Sequence, residues 1–574
     1  MILFISESTE KSFSQLKLVI VNADDVTKKV VDDLRHFKWP DTVSDSATAI
    51  GFCNKLIPEL YSKGYLAATI DSVYIKDSSF NVLLYTGAIY QWATITSHLD
   101  RGVINESGTA NLLLKRKTVT PLSVSVIVKK MLKWYSDNGY PFAKVSFDSI
   151  VIDGSSVNGV LKAEKGEQVY FDSLVIKGNS RLAYSYLINY LGLRKDDIYN
   201  ETKLERISAR LKEIPFITEV RKKESEFSGN KVRIIIYIDD RKASQFSGII
   251  GVLPDNSNGG KVKVTGDVKL RLLNSFNHAE LFDLNWSNPL PKSQDLKVKL
   301  NYPFLFDLPF GLDVGLNLFK KDSTFLEFER QVGIQHFLQG SNYIKVYVSL
   351  LTSDLISVKG YENAITLPEY ADVRTTTYGI GWRFSKLDYR LNPRRGFNVE
   401  AQAGVGTKII SRNSRLKPEL YDSVDLHTNH YNGNGNADIY IPVMARGVVN
   451  AGVMGAWLFS PDIFTNELFR FGGLKTLRGF NELSINASRY IIGKLEYRYI
   501  LEQNSYLFVF GNMAYYEDRS RNKFIHDAPY GYGAGITFET KLGIFSFTYA
   551  LGKQFDNPVL IKDGKVHFGL VNYF

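Results

Sequence analysis

From residue 245 to the end, apolar and polar residues alternate with a period of two in one segment after another. In the run from Lys261 to Leu272, Val262, Val264, Val268, Leu270 and Leu272 fall on one face. Lys261, Lys263, Asp267, Lys269 and Arg271 fall on the other. Leu296, Val298, Leu300, Tyr302 and Phe304 alternate with Lys297, Lys299 and Asn301, and Phe545, Phe547, Tyr549 and Leu551 with Ile544, Ser546, Thr548 and Ala550. A period of two is that of a β-strand, whose successive side chains point to opposite sides. One apolar and one polar face fits a soluble sheet packed on one side, or a membrane barrel with a polar lumen. Three features favour the barrel. The segments run to on the order of 10–14 residues, near the length of a tilted membrane crossing. Aromatics crowd the segment ends, as in Tyr302-Pro303-Phe304-Leu305-Phe306 and Tyr515-Tyr516, which suits interfacial girdles. No helical pattern interrupts the run to supply a covering layer.

The segments number roughly sixteen, an even number as closed antiparallel barrels need, and a barrel of that size leaves an aqueous lumen wide enough for a plug. Turns alternate in kind: short at 288–292, long at 354–375, 411–425 and 460–486. Short turns on one side and long loops on the other is the outer-membrane arrangement. No uncharged apolar run reaches about 18 residues, so no spanning helix is expected. The 36 Phe, 33 Tyr and 44 Gly against 17 Pro and 1 Cys suit an all-β protein with many turns. The single Cys53 excludes an internal disulfide and a cysteine metal cluster, and reads as a small buried apolar residue on a helix. The net charge of +10 is mild for this length and reads as solvated lysines. Residues 1–5 are apolar but lack a basic flank, too short for a secretory signal; the chain reads as a mature form or as one whose start lies further upstream.

The first two fifths read as three small α+β modules, at 13–88, 89–167 and 168–241, ahead of a barrel at 243–574. Residues 13–88 run β-α-α-β-β: a strand at 15–21, a helix at 24–37 stopped by Trp39-Pro40, a second helix to Leu60, and strands at 66–75 and 80–85. Tyr61-Ser62-Lys63-Gly64-Tyr65 followed by Ala67 returns as Tyr135-Ser136-Asp137-Asn138-Gly139-Tyr140 followed by Ala143. Self-similarity at a spacing of roughly 75 residues marks arrayed modules. The third copy opens with Tyr170-Phe171-Asp172-Ser173-Leu174-Val175-Ile176-Lys177-Gly178-Asn179. It continues with a helix carrying Leu187 and Leu191, and a second carrying Leu204, Ile207 and Leu211. Exposed sheet edges in such modules offer backbone N–H and C=O groups to extended peptides without reading their sequence.

Between two strand-like runs lies Phe469-Arg470-Phe471-Gly472-Gly473-Leu474-Lys475-Thr476-Leu477-Arg478-Gly479-Phe480. The stretch is apolar, broken by glycines, and carries an arginine between Leu477 and Gly479. Its backbone polar groups need partners, which a polar cavity supplies. It reads as a loop folded back into the barrel as an internal lid.

The third module resembles the POTRA domain, through Gly178-Asn179 after its first strand, Tyr199 before its second helix, and Phe216 with Val220 after it. The other two resemble it more loosely. The whole chain resembles the Omp85 superfamily, on Gly472-Gly473 followed by Leu477-Arg478-Gly479-Phe480, on the turn from Asp388 through Asn392-Pro393-Arg394-Arg395-Gly396-Phe397, and on a terminal strand ending in Phe574. Three modules ahead of the barrel are most like that superfamily's translocation and assembly branch, its central assembly subunits having more and its two-partner transporters fewer. The resemblance implies that Arg478 points into the lumen and pairs with the wall. Strand parity in Lys494-Leu495-Glu496-Tyr497-Arg498-Tyr499 puts Leu495, Tyr497 and Tyr499 outward, so the expected partner is Glu496. The family's usual aspartate falls at Val509, so a second acidic partner is missing or is supplied by Glu539. The resemblance also implies a seam between first and last strands. It carries Phe246, Gly248 and Gly251 on one side and Phe568, Leu570 and Phe574 on the other. Glycines there either weaken the pairing so that it opens sideways for a client strand, or relieve curvature.

The function implied is insertion or translocation of unfolded β-strand proteins at the bacterial outer membrane, with the modules in the periplasm. Expected partners are outer-membrane lipids, unfolded client proteins, and a periplasmic or inner-membrane protein bound through the first module; nucleic acid is not among them. A passive porin or receptor, or transport of lipid or envelope polymer, fits the same layout. Eight scattered histidines, with no nucleophile elbow and no P-loop, argue against an enzyme and against any cofactor or metal. A lumenal carboxylate such as Asp267 has no visible nucleophile or base beside it.

Overall fold

The computed structural model describes residues 16–22, 42–43, 46–77, 79–113, 117–255, 261–288, 293–338, 340–361, 364–389, 392–521, 523–540 and 543–573. The expected helix at 24–37, Trp39-Pro40, most of the turn at 288–292 and Phe574 lie outside the described residues. The chain divides into two compact units, one drawn from residues 1–172 with 195–205 and 227–232, the other from 173–194, 206–226 and 233–574.

In the first module Leu16–Asn22 runs parallel to Ser79–Tyr85, which pairs antiparallel with Thr69–Lys76. The helix Ser46–Ser62 covers this sheet. Leu56 and Leu60 meet Ala68 and Leu84, while Ala49 and Cys53 meet Val43, Phe80 and Val82. Burying these faces is what holds so small a sheet together. The second module repeats the plan. Gln91–Ser97 lies parallel to Ser156–Glu164, which pairs with Lys144–Asp153, and the helix Pro121–Asp137 buries Ile127, Met131 and Tyr135. That helix starts at a reciprocal cap: Ser123 N–H donates to Thr120 Oγ1 at 3.0 Å and Thr120 N–H to Ser123 Oγ at 2.9 Å. Gly64 and Gly139, the two glycines of the repeated motif, share a φ of 96°.

The third module has a three-stranded sheet in the order Tyr170–Lys177, Lys231–Asp240, Ile217–Ser228. Its first helix is Tyr184–Leu191, ended by Gly192 in the left-handed region. The expected second helix is broken in two, Glu201–Glu205 and Ile207–Glu213.

The barrel closes on itself with sixteen long antiparallel strands among the described residues, from Gln245–Asp255 to Lys565–Tyr573. A three-residue strand, Ile525–Asp527, extends one edge of the wall. Parity sorts the side chains as a closed wall requires: Val346, Tyr378, Ile380, Val405, Val453 and Ile491 are exposed outward, while Asp313, Lys345, Ser349 and Asn450 are buried inward. Two aromatic clusters behave otherwise than as girdles. Phe304 is buried and packs against Tyr186 of the third module, ring centroids 5.4 Å apart, and against Phe337 at 4.9 Å. Tyr516 turns inward to meet Phe471, whereas Tyr515 faces out. Adjacent residues on a strand take opposite faces, so a pair of neighbouring aromatics cannot both belong to the girdle.

Candidate functional site: the lumenal lid and the barrel seam

The long connection after Phe459 opens with a buried turn. Thr465–Glu467 forms a short 3₁₀ helix, and Glu467 accepts a hydrogen bond from Lys408 at 2.5 Å, with both side chains almost fully buried. Asn466 Nδ2 donates to Ser353 Oγ and to the Ala371 carbonyl, each at 2.8 Å. The chain then forms a two-stranded stem, Phe469–Phe471 against Ile485–Ala487. Arg470, in that stem, donates to Glu327 at 2.6 Å and lies 4.1 Å over the Phe319 ring. Phe471, Leu477, Phe480, Ile485 and Ala487 bury together against Ile492, Ala514 and Tyr516 of the wall.

Gly472 and Gly473 stand where the stem opens. Gly472 N–H donates to Thr476 Oγ1, and Leu474 N–H to the Glu482 carboxylate, each at 2.8 Å, so the backbone groups of the stretch find partners within the lid. At the tip, Gly479 has a φ of 96°, and a Cβ there would stand 2.4 Å from the Leu551 carbonyl oxygen. A Cβ on Gly531 of the wall would stand 1.9 Å from the Arg478 carbonyl oxygen. Lid and wall thus meet backbone to backbone, which glycine alone permits on both sides.

The Arg478 guanidinium donates to Glu496 Oε2 at 2.7 Å and stacks 3.6 Å from the centre of the Phe510 ring. The structure therefore brings Arg478 and Glu496 together. Glu496 is shared: Arg498 Nε donates to its other oxygen at 2.7 Å, and Arg498 Nη1 donates to Asn392 Oδ1 at 3.0 Å. A carboxylate holding two guanidiniums is a strong, directional anchor in a partly dried lumen. Val509 does not take part; it is exposed on the outer face, and the ring of Phe510 occupies the inward place beside Arg478. Glu539 is not brought to Arg478. It accepts from Asn504 at 3.1 Å instead. Lys475 reaches Asp267 of the second strand at 2.6 Å.

At the seam, Gln245 to Val252 pairs antiparallel with Tyr573 to Val566, eight residues of ladder. Gly248 faces Leu570, Gly251 faces His567, and Phe246 faces Asn572. Phe246 and Phe568 are exposed outward. Among the described residues no group of three His, Cys, Asp or Glu side chains is placed to hold a metal ion.

A family model described as the Omp85 superfamily domain matches residues 259–574, more than half of the chain. The chain belongs to the Omp85 superfamily. A POTRA model, described as a surface antigen variable number repeat, matches residues 169–241. The outer membrane protein assembly factor BamA of Neisseria meningitidis serogroup B is 21% identical over 454 residues, covering 72% of this chain and 53% of that protein. The chain thus spans about half the length of that curated relative. CdiB from Acinetobacter baumannii has a similar fold, with a TM-score of 0.52 at 12% identity over 96% of this chain and 99% of its own. CdiB from Escherichia coli gives 0.52 at 11% identity, over 91% and 97%.

Several lid contacts of this Omp85 chain lie beyond what its sequence pattern points to. Arg470–Glu327, Lys475–Asp267 and Lys408–Glu467 join residues far apart in sequence. Alternation places Asp267 and Lys408 on inward faces but does not say what crosses the lumen to meet them. Asn392 is nearer to legible: it sits in the Asp388 turn, where Asp388 Oδ1 accepts from the N–H groups of Tyr389, Arg394 and Arg395, and so ties that turn to Arg498.

Proposed function

We propose that this chain is an outer-membrane insertion or translocation factor for unfolded β-strand proteins, with its barrel in the bacterial outer membrane and its modules in the periplasm. The seam carries this reading. It is closed by eight residues of ladder that include Gly248 and Gly251, and glycine weakens strand order. A wall held there by few bonds can part and accept a client strand on the exposed edge. The lid supports the same reading, because an anchored plug keeps the lumen from acting as an open pore. Clients enter by edge pairing on the modules, a periplasmic or inner-membrane partner binds the first module, and outer-membrane lipid surrounds the barrel. No catalytic step and no cofactor is involved. The name of the relative in Neisseria meningitidis, an assembly factor, agrees with this.

Depletion of the chain, followed by a timed inventory of outer-membrane proteins and lipids, tests the proposal. The expected result is early loss of β-barrel proteins while the lipids keep their composition. Early loss of lipid with barrel proteins intact would assign the chain to lipid transport instead. Single-channel records add a second check: small, erratic openings are expected, and a steady large conductance would make it a porin.

A further inference from the structure

On the outer face of the barrel, away from the seam, lies a groove of 540 Å³. That volume falls within the roughly 300–1,000 Å³ of clefts that hold small ligands. Its floor crosses three adjacent strands, where Ala401 pairs with Gly435 and Gly435 with Gly455. Val453, Trp457, Ile491 and Tyr515 wall it. All four are exposed outward, so the groove is an apolar slot sunk into the surface that faces hydrocarbon.

One end of the slot is charged. Arg489 and Arg519 both donate to Glu517 at 2.6 Å, and the Tyr515 hydroxyl donates to the same carboxylate at 3.0 Å. Two guanidiniums on one carboxylate leave one positive charge in excess, and about half of each arginine side chain stays exposed. This end is at the long-loop side of the wall: Arg489 begins its strand directly after the lid connection, and Trp457 pairs with it at the same level. A tryptophan beside exposed arginines marks the depth of lipid headgroups. Trp457 lies opposite Arg489 and His526 opposite Glu517 on the neighbouring strands, Tyr515 shares the strand of Glu517, and the Phe524 ring lies 5.3 Å from Arg519.

We infer that this groove is a lipid seat, holding one acyl chain of an outer-leaflet lipid whose phosphate headgroup binds the free donors of Arg489 and Arg519. Charge complementarity selects a phosphate-headed anionic lipid over a zwitterionic one, since the excess cation lies where the headgroup emerges and guanidinium forks match phosphate oxygens. The inference rests on the membrane placement of the barrel and not on what the barrel assembles.

The full chain, reconstituted in phosphatidylcholine vesicles doped with phosphatidylglycerol, is first floated to establish insertion, then extracted in mild detergent and its retained lipid identified by native mass spectrometry. Wild-type protein is expected to retain phosphatidylglycerol about tenfold over its share of the mixture, the size of one charge-assisted hydrogen bond. The double variant R489Q/R519Q should lose that preference. A401F, which fills the slot, should lose the retained lipid altogether, and G435L offers a second filling variant if that one does not insert. A floating wild-type chain with no preference, or variants that keep it, overturns the seat and leaves the membrane reading standing. A chain that does not float overturns both.

Discussion

The seam and the wall opposite it are built from the same kind of strand, yet differ twofold in extent. Asp372–Leu387 pairs with Gly396–Ser411 over sixteen residues, whereas the seam pairs over eight and its neighbour, Gly543–Lys553 with Lys565–Tyr573, over seven. Along the strand that is about 53 Å against about 26 Å. The upper part of the tall wall does more than close the barrel. Val373 and Ile410 are buried there with Leu416, Leu420, Tyr421 and Phe464 in a cap formed by the long loops. The lid is rooted in that cap, through the buried Lys408–Glu467 pair and Asn466, and reaches toward the strand beside the seam, where Lys475 and Asp267 meet with half of the lysine exposed. The anchorage therefore runs from strong at the root to weak at the tip. Under the proposed function the seam is the side that parts, because unbonded backbone groups in hydrocarbon cost several kcal/mol each and half the ladder means half as many to expose.

The largest expected effect comes from removing the difference. A disulfide across the seam, Gly248→Cys with Leu570→Cys in a Cys53→Ser background, joins directly opposed residues. Position 248 has room, since a Cβ there meets nothing nearer than 3.9 Å. Oxidised protein is expected to lose all complementing activity while keeping its heat-modifiable migration on gels. The matching bridge in the tall wall, Tyr378→Cys with Val405→Cys, should leave activity near wild type. Equal activity from both oxidised proteins would end the idea of a parting seam.

Next in size is the backbone contact between lid and wall. Gly531→Ala places a methyl group 1.9 Å from the Arg478 carbonyl oxygen, and neither backbone can yield. The expected outcome is a lid displaced from the wall, read as new protease cleavage between residues 474 and 484 and a loss of about 2–3 kcal/mol, as for other overpacked sites. Gly511→Ala is the control, because a Cβ there meets nothing within 4 Å. Identical melting and cleavage of the two variants would show that lid and wall are not in contact.

The anchor itself comes third. Removing one partner of a buried ion pair costs about 3–5 kcal/mol when it strands the other charge. Here Arg498 still holds Glu496, so Arg478→Ala should cost less, about 2 kcal/mol including the stacking on Phe510. Arg478→Lys should recover part of this, since a lysine keeps the charge but not the fork. Unchanged stability and assembly in Arg478→Ala would remove the anchor from the account.

This network also marks where reading the sequence stops. The pairing of Arg478 with Glu496 could be anticipated because the family resemblance turns Arg478 into the lumen and parity along Arg489–Ile500 fixes which wall residues face inward. The same parity, applied to Tyr506–Asp518, turns Val509 outward and Phe510 inward, so the expected acidic contact is replaced by an aromatic one on the neighbouring residue. Alternation fixes the face of a strand but not the angle at which strands stand around the lumen, and that angle decides which inward side chains meet the lid. For this reason Asp267 was legible as an inward charge and illegible as the partner of Lys475. The arrangement of strands in the barrel was readable for the opposite reason: it depends on periodicity and turn spacing, which are local, and not on who meets whom across a cavity.

The smallest effect is the most specific to the comparison between root and tip. Lys475→Met removes the tie between the lid tip and the second strand. An exposed pair of this kind contributes only about 0.2–1 kcal/mol and is screened by salt, so the barrel's melting temperature should barely move. Glu467→Gln at the root leaves the Lys408 ammonium buried without its carboxylate, and by the same reasoning as for other broken buried pairs should cost about 3 kcal/mol or more. The two ties differ in what they restrain. The root ties lid to cap, and the tip ties lid to the wall beside the seam. If the tip tie holds the seam shut, Lys475→Met should raise the rate at which a lumen-facing cysteine at 567, in a Cys53→Ser background, reacts with a water-soluble thiol reagent, and raising the salt concentration should bring the wild type toward the variant. Reaction rates that are equal in variant and wild type at low salt would separate lid from seam and leave the lid as a plug alone.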